Sequence, residues 1–288
     1  MFQEEVNVWA EYTTPAKRTI ANGHPSFARL NCLNWAAFFI QLATGVAQLY
    51  LAYESDTKYS IYSNFQAQDE NADGPGFLGP LPDELFSFRV SYLAGVFLLL
   101  SALDHLLVAS CFRLRYELQI EQDYNSFRWT EYAISASIMR VFVGILSGVA
   151  DAHLLYAIFG LTFVTMQFGA AFEKENRGRL SEPVGEDGRR PRVAWSFFWQ
   201  GFIPHTFAWT IVVCFFAEAL STGDPPDFVF AIVVIIFVLD LTFSINLGLT
   251  WAQVGPYKSY MSGEVGFIIL SLTSKQLLAW INYAGSTI

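Results

Sequence analysis

Charge is what this chain has least of. Only 15% of its 288 residues are Asp, Glu, Lys or Arg, against 53% hydrophobic, too few for a surface that faces water throughout. Cysteine is scarce. Cys32, Cys111 and Cys214 lie in or beside apolar runs without paired spacing; a disulfide framework is excluded and buried, inert thiols are expected. Four histidines offer no convincing metal spacing, and His24 and His153 are expected at the surface. No nucleophile triad, phosphate loop or metal-ligand cluster is visible, so an enzyme is not expected. The net charge of −9 argues against a nucleic-acid partner. The first 30 residues include Glu4, Glu5, Glu11 and Pro15 and lack an apolar core, so no cleavable leader is expected. Solenoid or inverted repeats are absent too.

What the chain has is long apolar runs, at 31–53, 86–112, 127–150, 152–172, 193–220, 228–252 and 265–284. Each reaches the roughly 20 residues a helix needs to cross a hydrocarbon core about 30 Å thick. Bare backbone polar groups are not tolerated in lipid, so the runs are predicted to be helices. The expected fold is an all-α, multi-pass membrane protein, a bundle of seven transmembrane helices. Residues 1–30 form an N-terminal segment, 31–284 the bundle, and 285–288 a short tail. Of the basic residues outside the spans, 13 fall on the side of the N-terminus and only Lys58 and Arg89 on the other. The positive-inside rule then predicts a cytoplasmic N-terminus and an outer C-terminus. The outer loop 54–85, with Tyr59, Ile61, Tyr62 and Phe65, is predicted to hold a short hairpin; the inner loop 173–192 reads as a mobile linker.

Ionisable residues inside a span are costly and mark function by default. Lys275 lies about 18 Å into the seventh span if that helix begins near Gly263. There it can pair with an acid, bind an ion, or be held in an imine with an aldehyde. Glu131, about 12 Å into the third span, is the natural partner. Ser271 stands four residues before Lys275 and Ser135 four after Glu131, each on its partner's helix face. Asp240 lies level with Lys275 in the sixth span and is expected to be a neutral acid. Arg140 and Glu218 are expected to form a salt bridge toward the outer surface, and His105 with Asp104 a hydrated pair at the inner end of the second span.

The stretches Phe127-Arg-Trp-Thr-Glu-Tyr-Ala-Ile-Ser-Ala-Ser137 and Ser271-Leu-Thr-Ser-Lys-Gln-Leu-Leu-Ala-Trp280 resemble the third- and seventh-helix signatures of the heliorhodopsins. Gly148-Val-Ala-Asp151, Ile158-Phe-Gly160, the spacing of Ser101 and His105, and Arg29-Leu-Asn31 with Gln41 support the resemblance across all seven runs. The reversed orientation is that family's distinguishing feature. The resemblance implies all-trans retinal attached to Lys275, with Glu131 as counterion to the protonated Schiff base. Ser271, Ser135 and Ser101 match positions around that centre, and Tyr132, Met139 and Phe237 match the pocket wall. It also implies a homodimer, an outer hairpin, and a sensor acting on an unknown cytoplasmic signalling partner. Some members from viruses of algae are reported to pass protons under light.

Departures from the family pattern are Phe38 in place of a histidine that would pair with His105, His205 in place of a tryptophan, Asp240 in place of an aromatic, and the unusual Arg140 and Glu218. Two functions follow as expectations: a light signal passed to the cytoplasmic surface, or light-gated passive proton conduction along Asp240, Arg140, Glu218 and His105.

Overall fold

The computed structural model describes residues 25–68, 78–180, 192–223 and 225–286. Lys17, Arg18, His24, Arg189, Arg190 and most of the turn-rich stretch that starts at Asn71 lie outside the described residues, as does most of the N-terminal segment. The chain runs α1 (Pro25–Glu54), β1 (Tyr59–Gln68), β2 (Leu78–Phe88), α2 (Tyr92–Ala109), α3 (Arg113–Glu121), α4 (Ser126–Leu146), α5 (Ala152–Glu175), α6 (Ser196–Thr222), α7 (Asp227–Ala252) and α8 (Tyr260–Ser286). Six of these helices, α1, α2 and α5 to α8, are long and apolar enough to cross a membrane. The remaining long helix, α4, carries Arg128, Glu131 and Arg140 along its length, and these lower its hydropathy.

Boundaries differ from the sequence reading in three places. Residues 86–88 belong to β2, where Phe86 and Phe88 pair with Ile61 and Tyr59; an apolar strand end there had merged with the helix that follows. The third run stops early, because Gly148 turns the chain at φ +100°, a conformation that costs glycine little. The connection between α2 and α4 contains the short helix α3, and residues 173–180 are ordered rather than linker: Asn176 donates to the Ala194 carbonyl at 3.0 Å and accepts from its amide at 2.7 Å. Cys32, Cys111 and Cys214 are free but exposed, not buried. Cys32 and Cys214 sit on outward helix faces, where a small apolar thiol suits lipid as well as core, and Cys111 lies in the turn between α2 and α3.

The hairpin is antiparallel, as expected, and covers one end of the bundle. Asp151 ties it there. Its carboxylate caps α5 by accepting from the His153 and Leu154 amides at 2.9 and 3.0 Å. It also accepts from the Asn64 amide at 3.1 Å and the Asn64 side chain at 2.8 Å. Burial alone would raise this carboxyl's pKa, but the four hydrogen bonds outweigh it and hold the pKa below the ordinary 3.8. A depressed pKa stabilises the fold fully above the ordinary value and loses that contribution as pH falls through the lowered one. Asp151→Ala is expected to cost about 0.5–2 kcal/mol, the usual worth of an N-cap, and to free the hairpin. Limited proteolysis at neutral pH should cut the variant hairpin faster than wild type.

Two apolar clusters fill the bundle. One gathers Phe97, Phe142, Ile158, Ile232 and Leu278; the other gathers Trp129, Tyr132, Phe172, Trp251 and Phe267. Lys275 falls on α8 between Ile268 of the second cluster and Leu278 of the first.

Candidate functional site

Lys275 and Glu131 meet in the middle of the bundle. The ammonium donates to Glu131 Oε1 at 3.1 Å and to Ser271 Oγ at 2.8 Å, and it lies 5.1 Å from the Tyr132 ring centroid. Ser101 Oγ donates to the same carboxylate oxygen at 2.5 Å. The Lys275 and Glu131 side chains are 3% and 6% exposed, so each charge exists only because the other is there. Three expected residues are thus assembled around Lys275. Ser135 is not: it is buried, but its hydroxyl has no partner among the described residues. One helical turn on from Glu131, about 5.4 Å, its short side chain does not reach the pair.

A cavity of about 860 Å³ opens from Lys275 between α4, α5, α6, α7 and α8. Its wall is largely aromatic, with Trp129, Tyr132, Phe202, Phe243 and Phe267, and Met139, His205 and Asp240 also face it. Tyr132 is locked in place by its hydroxyl, which donates to the Phe267 carbonyl at 3.0 Å. Gly169 and Gly201 line the opposite side; at Gly169 a side chain would collide with the Trp129 ring. Phe237 does not line the cavity. It is 40% exposed and rests edge-on against Trp209 at 5.0 Å. The lining stripe of α7 is Asp240, Phe243, Ser244 and Leu247, a helical i, i+3, i+4, i+7 pattern. Because α7 is apolar all round, its sequence alone did not show which face turned inward.

Arg140 pairs with Asp240, not with Glu218. Trp209 adds a hydrogen bond to Asp240 at 3.1 Å, and its ring lies 4.1 Å beneath the Arg140 guanidinium. Asp240 is therefore the carboxylate of an ion pair rather than a lone neutral acid. Glu218 is exposed near the C-terminal end of α6. His205 Nε2, buried near Arg140, has no partner among the described residues. His105 does not form a pair with Asp104; its Nδ1 is 2.8 Å from Asn34 Oδ1, one turn before Phe38 on α1.

The sequence reading missed a second buried centre at the end of the bundle opposite the hairpin. Arg128 pairs with both Glu173 and Glu264, drawing together α4, α5 and α8, all three side chains at most 4% exposed. Glu173 also accepts from Trp129 Nε1 at 2.6 Å and the Tyr260 hydroxyl at 2.9 Å. Glu264 accepts from the Tyr116 hydroxyl at 3.0 Å and Asn125 Nδ2 at 2.7 Å. Each of these charges lies near a span end, where a charge reads as hydrated. The signal was that three such residues share one end.

A family model described as Heliorhodopsin matches residues 30–287. Among solved structures, the chain is similar to a light-driven proton pump LR (Mac) from Leptosphaeria maculans, at 12% identity and a TM-score of 0.48, covering 91% of this chain and 97% of that one. No curated protein matches it.

Proposed function

This chain belongs to the heliorhodopsin family, a light-sensing, multi-pass membrane protein that binds retinal covalently, and from that premise we propose that Lys275 is the attachment point and Glu131 its counterion. The single observation that carries the reading is the buried Lys275–Glu131 pair, 3.1 Å apart, with Lys275 on the wall of an aromatic cavity. An amine on the wall of a largely aromatic cavity suits a long apolar aldehyde, because ligand pockets are lined mainly by apolar and aromatic side chains with a few placed polar groups. When bound, retinal supplies visible absorption and a light-driven change of shape.

The chain's own residues do the rest. Glu131 balances the positive charge at Lys275 Nζ, and Ser101 and Ser271 orient the two. Tyr132, Trp129, Phe243 and Phe267 hold the apolar chain in line and exclude water; Met139 packs beside them. A change of charge at Nζ alters what Glu131 and Arg128 feel on α4, and so biases helix packing at the end that carries the basic residues. In this reading α4 is the seventh crossing, its charges turned inward, and the basic end faces the cytoplasm. The output is a contact with a cytoplasmic partner, made by a homodimer, and not catalysis.

A second reading, light-gated proton conduction, is favoured by the Arg140–Asp240 pair, whose Asp240 lines the cavity, and by His205 Nε2, which has no partner among the described residues. Voltage-clamp recording under flashes separates the two. If protons pass, Asp240→Asn should cut the photocurrent at least about tenfold, consistent with the weight of positioned proton-transfer groups, with Glu218→Gln testing the outer mouth. Unaltered currents in both variants would remove these residues from the path. No current from coloured protein at the cell surface would leave the sensor.

A further inference from the structure

Between the two buried centres lies a small polar cavity of about 320 Å³, and Asp104 of α2 faces it. The groups around Asp104 come from every helix packed there. Asn34 enters from α1, His105 from α2 itself, Tyr116 from α3, Arg128 and Glu131 from α4, and Glu264 and Ser271 from α8. Lys275 of α8 and Glu173 of α5 stand one contact behind, paired to Glu131 and Arg128.

A charge count decides what Asp104 carries. Lys275 and Arg128 are the two cations of this region; Glu131, Glu173 and Glu264 already exceed them by one. Each of those three carboxylates has a cation and at least one neutral donor bound to it. Asp104 has neither among the described residues: no side chain or amide hydrogen-bonds or ion-pairs with its carboxyl. Ionising it would place a second excess negative charge inside the bundle, with the Glu131 and Glu264 carboxylates facing the same cavity. Desolvation and repulsion both oppose that. His105 cannot relieve it as a cation at no cost, since Asn34 Oδ1 holds its Nδ1 and burial disfavours a charged ring.

We propose that Asp104 is a proton store: its carboxyl carries a proton in the dark and is the donor that returns one to the Lys275–Glu131 centre from the basic end of the bundle. In that step the Asp104 O–H bond breaks with its electron pair left on the carboxylate. The new bond forms at Lys275 Nζ, directly or by way of a cavity water, and restores the cation opposite Glu131. The restored cation at Lys275 and the guanidinium of Arg128, which is bound to both Glu264 and Glu173, then balance the Asp104 carboxylate until a further proton arrives from the basic end. The proposal rests on the reading of Lys275 above only in its second half; the stored proton does not require retinal.

The test has two parts. Infrared spectra of the retinal-free protein, with aspartate labelled with carbon-13, should show a protonated aspartic carboxyl band that Asp104→Asn removes and Asp104→Glu moves out of the labelled set. An unchanged labelled band in Asp104→Asn would overturn the store. The same measurement in a Lys275→Ala background should keep the band, so a failure of the attachment reading leaves this one standing. In the pigment, Asp104→Asn should slow thermal recovery after a flash by at least about tenfold, the low side of general-acid contributions. Azide, a small diffusible acid, should restore the rate, which repair of a packing defect would not predict. Recovery at the wild-type rate, or slow recovery that azide leaves unchanged, would overturn the donor role. If Asp104→Asn does not fold, the labelled band in wild type and in Asp104→Glu carries the same decision.

Discussion

Lys275→Ala protein is expected to reach the membrane and to show no visible absorption when retinal is added. Lys275 is the one lysine among the described residues that faces the aromatic cavity, so its loss removes the proposed anchor together with the charge that pairs with Glu131. Removing one partner of a buried pair leaves the other uncompensated, at a cost of about 3–5 kcal/mol if it stayed ionised. Glu131 escapes most of that by taking a proton, with Ser101 already hydrogen-bonded to it at 2.5 Å. The fold should therefore survive where the pigment does not. Glu131→Gln makes the complementary case. The amine stays, but nothing opposes its charge, and absorption should persist with a displaced maximum. Absorption spectra of the purified variants check both, and an unchanged pigment in Lys275→Ala would end the attachment reading.

Arg128→Ala should do more damage to the fold than any change at the retinal site. The guanidinium serves two carboxylates at once, Glu173 and Glu264, and its face lies 4.0 Å from the Phe267 ring centroid. Without it two acids stand side by side in a space from which water is excluded. The expected cost is about 3–5 kcal/mol, a large part of the roughly 5–15 kcal/mol that holds a typical domain folded. Arg128→Lys should recover only part of it, because an ammonium does not form the two-armed contact that a planar guanidinium makes with separate carboxylates. Thermal unfolding followed by loss of pigment colour measures the order: wild type, then Arg128→Lys, then Arg128→Ala. The same ranking without retinal would place the effect in the bundle rather than in the cofactor.

Much of this was legible in the sequence, for physical reasons. Lipid forbids open backbone polar groups, so the apolar runs had to be helices, and the helices stand where the runs placed them. A lysine halfway along an apolar helix is costly enough to demand an acid, and Glu131 was the acid at the matching depth. Ser271 followed from helical spacing, and Ser101 from the family resemblance. The losses have an equally definite cause. In α7 the hydrophobic pattern carries no face, and Phe237 and Asp240, three residues apart, could not both be placed from it. Arg140 was matched by depth to Glu218 and Asp240 was taken for a lone acid, yet the two meet; a pairing across helices depends on which faces meet, which periodicity does not contain. Arg128, Glu173 and Glu264 were passed over because charges near span ends are ordinarily hydrated, and only the packed bundle showed that this end is closed. Asp104 was read as the partner of His105, whose ring instead meets Asn34.

The attachment itself is open to one direct test. Borohydride reduction of the dark pigment would fix the retinyl group to its amine, and peptide mass mapping would then locate it. The account predicts the added mass on the α8 peptide that contains Lys275, in nearly every pigmented molecule. The mass on another lysine, or on none, would contradict it.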